Sequence, residues 1–371
     1  MEEDAVAPVD LTMTAVATAV ACALPGVFLV LRRQSLAGDA IGHVILLGIA
    51  SGFLLGGSLH SPLVVLGAAA IGVLAVAIVE SLARSRLVKS DAALGLVYPA
   101  LFSVGVVLVS RMPKDVHFDV DAVLLGDLIH APLRRFTWAG IDFGPWSMII
   151  MTVTFVINSL FVVFMYKELK LTTFDPEHAK SLGIKPGYVH YALMTLVSLT
   201  VVAAFDAAGA VLVVAFLVAP AATAYLMTDR LSMMLLFSVI VAIFGATAGS
   251  GVADRLDANV AGAVAVVLGG MFVAAMLLSP SHGLIAAATR RLRLLDHFAR
   301  GLLVVHLSHH EATPAAEEEN RFERLGTHLN WPQAKVNRVL FGAERLGMVA
   351  REGPMIRLTH LGREWARELV G

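Results

Sequence analysis

Charge is the first thing this chain has little of. Lys and Arg number 28 and Asp and Glu 29 in 371 residues, so only 15% of positions are charged. A water-soluble globule carries about a quarter, which excludes an ordinary soluble enzyme. Cysteine is nearly absent too. The single Cys22 lies inside an apolar run, which excludes a disulfide framework and a thiolate metal cluster. No Gly-x-x-x-x-Gly-Lys-Ser/Thr sequence occurs anywhere, so the chain has no phosphate-cradling loop of its own. The first ten residues are acidic and lack the basic flank of a cleaved signal peptide. The apolar run that follows is therefore expected to be a permanent first span.

What the chain has in quantity is apolar sequence, 57% of its residues. Runs long enough to cross a bilayer, about 20 residues each, fall at 11–31, 39–59, 62–80, 91–110, 146–166, 188–206, 209–228, 232–252 and 259–280. The fold expected is an all-α polytopic membrane protein of about nine transmembrane helices, with a small α+β domain at the C-terminus. The pairs 39–59/62–80 and 188–206/209–228 are joined so tightly that either can hold a broken or re-entrant helix. Arg32, Arg33, Arg84, Arg86, Lys89, Lys167, Lys170, Lys180, Lys185, Arg230, Arg290, Arg291 and Arg293 all fall on one side of a nine-span arrangement. By the positive-inside rule that side is cytoplasmic, with the N-terminus outside. The 111–145 loop is mixed: Arg111, Lys114, Arg134 and Arg135 are offset by Asp115, Asp119, Asp121 and Asp127.

Asp39 and His43 stand at the start of the second run. Four residues apart on a helix, they share one face at about 6 Å. Ionisable groups in a bilayer are expensive and usually face a bundle interior or a pathway. The residues alone leave two readings open, a transport ligand pair or a structural pair satisfying itself between helices. Glu80, at the end of the third run, reads as an interfacial carboxylate, and Asp206 as a solvated one. His117, Asp119, Asp121, Asp127 and His130 read as scattered polar residues of a solvated outer loop.

Five blocks in order carry a family resemblance: Arg32 to His43, Asp91 to Leu96, Leu124 to Leu128, Phe174 to Ile184, and Gly209 to Ala224. Together they resemble the permease family of bacterial ATP-binding-cassette (ABC) importers for manganese, zinc and ferrous iron. The resemblance covers about 10–285. It implies that Asp39 and His43 pass the metal through the membrane. A carboxylate with an imidazole suits borderline divalent ions, whereas thiolates would hold zinc or copper too tightly. It also implies that Phe174, Asp175, Pro176, Glu177, Ala179, Leu182 and Gly183 form the coupling helix that sits in the ATPase subunit. Pro176 near its start and Gly183 at its end fit a short capped helix.

Beyond residue 281 the charge density rises to that of a soluble domain. The expected organisation is a permease domain over 1–285, a connecting helix and linker over 286–319, and a second domain over 320–371. The pattern of that second domain is a helix near 320–329, another from Asn330-Trp331-Pro332 through Leu346, a hairpin over 349–359 and a helix over 361–370. Helix, turn, helix, two-stranded wing, helix is a winged-helix order. Leu325 to Leu340 and Ile356 to Glu364 resemble the DNA-binding half of diphtheria-toxin-repressor-type metalloregulators. Its nine Lys and Arg from Arg321 to Arg367 face nearly as many glutamates, and a DNA reader needs a basic surface. DNA is therefore not an expected partner, and a protein-contact or regulatory role is. His306, His309 and His310, with Glu311, end the connecting helix at spacings that can hold a divalent ion, although a solvated histidine-rich helix end is the plainer reading.

The expected function is the membrane subunit of an ABC importer for manganese, zinc or ferrous iron, itself not an enzyme. No permanently bound cofactor is expected, and the metal ion is substrate. The partners expected are a cytoplasmic ABC ATPase, an extracytoplasmic metal-binding protein and a second permease subunit. A membrane-tethered winged-helix regulator that senses metal is the alternative, but it has no use for a coupling segment. A proton-coupled carrier would carry more carboxylates within its spans.

Overall fold

The computed structural model describes residues 8–57, 61–85, 88, 90–111, 135–138, 141–311 and 316–370. They form two compact units, Met1–Gly283 and Leu284–Gly371. The first holds α1 (Pro8–Leu31), α2 (Ser35–Gly56), α3 (Pro62–Arg84) and α4 (Ser90–Ser110). A two-stranded antiparallel hairpin follows, β1 (Arg135–Trp138) and β2 (Ile141–Pro145). Then come α5 (Trp146–Phe164), α6 (Tyr166–Phe174), α7 (Pro176–Ser181), α8 (Pro186–Met227), α9 (Leu231–Leu256) and α10 (Val260–Leu278). Nine segments among the described residues are long and apolar enough to span a bilayer. Their ends fall within four residues of those read from the sequence. Strands β1 and β2 fall in a stretch expected only as loop.

Why these helices pack as they do follows from small residues. A Cβ on Gly52 of α2 would stand 2.5 Å from the Val64 Cα of α3, and one on Gly67 2.8 Å from the Gly48 carbonyl. Only glycine permits that backbone approach, the usual means of helix association in lipid. Buried polar groups add direction. Asn158 of α5 is fully buried and donates to the Ala21 carbonyl and to the Thr200 hydroxyl, each over 2.9 Å, tying α5 to α1 and α8. Large apolar side chains such as Leu55, Val163, Phe164 and Val266 are 71–80% exposed, as lipid-facing surfaces require.

The 42-residue α8 is one continuous element only by its hydrogen bonding, since Gly209 has φ 74° and ψ 167°. L-residues with a side chain avoid that region. His190, near the start of α8, meets Arg32 just beyond the end of α1. Farther along α8, Thr200 meets Ala21 of α1 through Asn158, and Leu217 then stands against Gly26, back toward the end of α1. Both ends of α8 therefore lie on one side of the unit, and the chain doubles back at Gly209. Its halves are two spans, Pro186–Phe205 and Ala207–Met227.

The second unit contains α11 (Leu284–His310), α12 (Ala316–Glu319), α13 (Phe322–His328) and α14 (Gln333–Arg345). The antiparallel pair β3 (Val349–Glu352) and β4 (Met355–Leu358) and then α15 (His360–Val370) complete it. Leu303, Val304 and Leu307 of α11 share its core with Leu325, Val339, Leu340, Ile356 and Ala366. The second half of α11, read from the sequence as connector, is thus part of this unit's core. Gly347 at φ 68° ends α14, and Gly353 at φ 63° turns the hairpin.

Candidate metal path and coupling segment

Three faces of α2 explain how Asp39 and His43 are presented. Ile41 and Ile45 are buried in the large core with α1 and α8, while Ala40 and Val44 are buried in a second core with α3 and α4. Asp39 and His43 take the face left over. Their side chains are about half exposed, with His43 Nε2 3.7 Å from Asp39 Oδ1. That is too long for a hydrogen bond. It is close to the ~3.0–3.4 Å between two ligand atoms on one ion with bonds near 2.1 Å. The Phe102 ring of α4 meets the imidazole edge-on at 5.9 Å and restricts its swing.

One turn nearer the start of α2 is a cavity of about 240 Å³, lined by Gln34, Ala37, Glu80, Tyr98, His190 and Met194 among others. Glu80 Oε2 lies 3.8 Å from His190 Nε2, both side chains mostly buried. The Arg32 guanidinium is 3.4 Å from His190 Nδ1. Glu80 is therefore held inside the protein against an imidazole rather than at an open interface. Sequence reading did not single out His190. Its signal was a lone ionisable residue one turn into an apolar run.

Around residue 176 the chain makes a six-residue helix, α7. Asp175 caps it, its carboxylate accepting from the His178 amide over 2.9 Å, and Pro176 occupies the first turn. Gly183 at φ 80° lets the chain leave. Ala179 is fully buried and anchors the helix, whereas Glu177 is exposed and paired with Lys180 at 2.8 Å. Phe174 and Leu182 are each 58% exposed and Tyr188 72%. Apolar side chains beside a charged helix form a surface suited to a protein partner.

In the second unit His306 and His310 face each other, ring centroids 4.9 Å apart, and Glu319 completes a group able to hold a cation. His309, expected with them, is exposed and outside that group, although its ring meets His310 edge-on at 5.2 Å. Around the helix 310 stands about 40° to one side of 306 and 309 about 60° to the other, and Glu319 joins the pair on the 310 side. Glu311 is engaged elsewhere, bound at 2.7 Å by Arg363, which raises the Arg363 pKa. Burial, and next the neighbouring His310, push the His306 pKa below its ordinary value.

His117, Asp119, Asp121, Asp127 and His130, with the Leu124–Leu128 block, lie outside the described residues, as do the side chains of Asp91 and Asp206.

Nine bilayer-length spans among the described residues, an ionisable pair on one of them and a capped surface helix fit a membrane transport subunit. The chain belongs to the ABC 3 transport family, whose model matches residues 9–279. It is thus a multi-pass membrane permease, not an enzyme, and ATP is hydrolysed by a separate subunit. The zinc transport system membrane protein TroD of Treponema pallidum is 42% identical over 359 residues, covering 95% of this chain and 96% of that protein. The manganese transport system membrane protein MntD of Bacillus subtilis is 41% identical over 283 residues, 76% of this chain and 95% of its own. Among solved structures, PsaBC from Streptococcus pneumoniae in complex with Fab superposes with a TM-score of 0.61 at 26% identity, covering 74% of this chain and 92% of that one.

Proposed function

We propose that this chain carries divalent manganese, zinc or ferrous iron across the inner membrane, with Asp39 and His43 as ligands on the path. The observation that carries this reading is the 3.7 Å pair on the one face of α2 that neither core covers. A carboxylate and an imidazole on a half-exposed face of a span are not left to lipid. They suit a path closed by a second permease subunit, a copy or a paralogue. Two ligands also let an ion leave, as a conduit needs. The names of the relatives, zinc for TroD and manganese for MntD, support the ion class without choosing within it.

Segment 174–183 is the proposed coupling element for the ATPase, on the cytoplasmic side where the Lys and Arg residues gather. An extracytoplasmic binding protein delivers the ion at the opposite face. The second unit is then cytoplasmic. Its helix–helix–hairpin–helix order supports a winged-helix domain used for protein contact, not DNA. Arg324, Arg357 and Arg363 are paired with Glu318, Glu352 and Glu311, which offsets part of the basic charge a DNA reader would offer to phosphates. The test is uptake of radioactive manganese, zinc and iron in a strain stripped of its own importers and supplied with this chain and its ATPase. ATP-dependent accumulation of at least one ion supports the reading, and accumulation of none overturns it.

A further inference from the structure

The end of α11 meets α12 and α13 at a cluster the transport path does not use. One donor atom from each of His306, His310 and Glu319 lies within 4.8 Å of the other two. The His306 ring is hydrogen-bonded to the Glu319 backbone, while its Nε2 is buried with no hydrogen-bond partner. An imidazole that donates from one nitrogen to a carbonyl presents a lone pair on the other. Left buried and unmatched, that lone pair is costly. Glu319 is itself held in place, its Oε2 2.9 Å from His328 Nδ1, and the His328 ring stacks on His306 at 6.2 Å.

We propose that His306, His310 and Glu319 form a divalent-cation site, with His328 as the residue that orients the Glu319 carboxylate. Two nitrogens and one oxygen suit a borderline first-row ion, and zinc binds more tightly than manganese or ferrous iron to such a set. Calcium and magnesium, which take oxygen ligands, are excluded. In a tetrahedral shell with bonds of about 2.0–2.1 Å, ligand atoms stand ~3.3 Å apart. Closing from 4.8 Å therefore asks only small side-chain rotations, and water completes the shell. The bound ion fastens Glu319 of α12 to His306 and His310 of α11.

The experiment uses the full chain in detergent, without ATP, so that it is independent of the import reading. Asp39→Ala/His43→Ala removes the transport pair, and zinc bound after dialysis is counted by mass spectrometry. The background variant retains one zinc per chain at this site. Adding His306→Ala and His310→Ala removes it, Glu319→Gln and His328→Ala weaken it about tenfold or more, and His309→Ala changes nothing. If the double alanine variant fails to fold, His310→Gln carries the same test. Cobalt in place of zinc reports nitrogen ligation by its visible absorption. Unchanged zinc binding in the His306/His310 variants, or its loss in His309→Ala, overturns the proposal.

Discussion

The Arg32 guanidinium donates to the Thr172 hydroxyl over 3.0 Å and to the Thr173 hydroxyl over 3.1 Å. These bonds fasten the end of α1 to α6, which leads within one residue into α7. Burial lowers the Arg32 pKa, yet a guanidinium stays charged far above physiological pH. The same residue touches His190, so one fork links the proposed coupling segment to the cavity lined by Gln34, Glu80 and His190. Arg32→Ala should raise the ATP hydrolysed per ion imported several-fold in proteoliposomes, and Arg32→Lys should not rescue it, since one ammonium does not reproduce the planar fork. A normal stoichiometry in both variants would make this contact structural only.

Leu182 beside α7 is 58% exposed and lies outside its unit's apolar core. Burying a leucine against a partner contributes about 1.5–3 kcal/mol, which is roughly tenfold to a hundredfold in affinity. Leu182→Asp should therefore weaken copurification with the ATPase by at least about tenfold, leaving membrane insertion intact. Deletion of 174–184 should abolish it. Retention of the ATPase by the deletion variant would reduce the segment to a surface loop.

Asn158 supplies the other kind of contact. Its amide donates to both Ala21 and Thr200, and Thr200 keeps its own bond to Leu196. Asn158→Leu loses two interhelical bonds but gains an apolar side chain, whereas Asn158→Ala leaves a void and an unmatched carbonyl. Interhelical bonds in membranes contribute about 0.6 kcal/mol on average. The alanine variant should lose about 1–2 kcal/mol against chemical unfolding in mixed micelles, and the leucine variant less. Equal stability in all three would remove the network from the account.

The family model ends at residue 279, before the second unit begins. A chain ending at Gly283 should still support uptake but lose its adjustment to metal supply. The full chain should bind the upstream DNA of its own operon no better than nonspecific affinity, about 10⁻⁴–10⁻⁶ M at physiological salt. Tight sequence-specific binding would restore the regulator reading.

Much of this was legible because it is local. Apolar length places spans, Pro176 and Gly183 bracket α7, and the i, i+4 spacing of Asp39 and His43 places them on one face. The break in α8 was readable only as a tight join; Gly209 became the turning point through its backbone angles. What the sequence hid are meetings between distant segments. Glu80 and His190 are 110 positions apart and come together because α3 packs on α8. His309 and Glu319 show the same limit. Spacing nominated the first, but the side of α11 that α12 and α13 cover selected the second.

The most direct test of the transport path is initial-rate uptake of manganese and zinc by Asp39→Ala and His43→Ala, each with its ATPase and with membrane insertion verified. Asp39 and His43 are the two ionisable residues of α2. The account predicts loss of ATP-dependent uptake in either variant, with the ATPase still bound. Uptake at the unsubstituted rate in both single variants would contradict it.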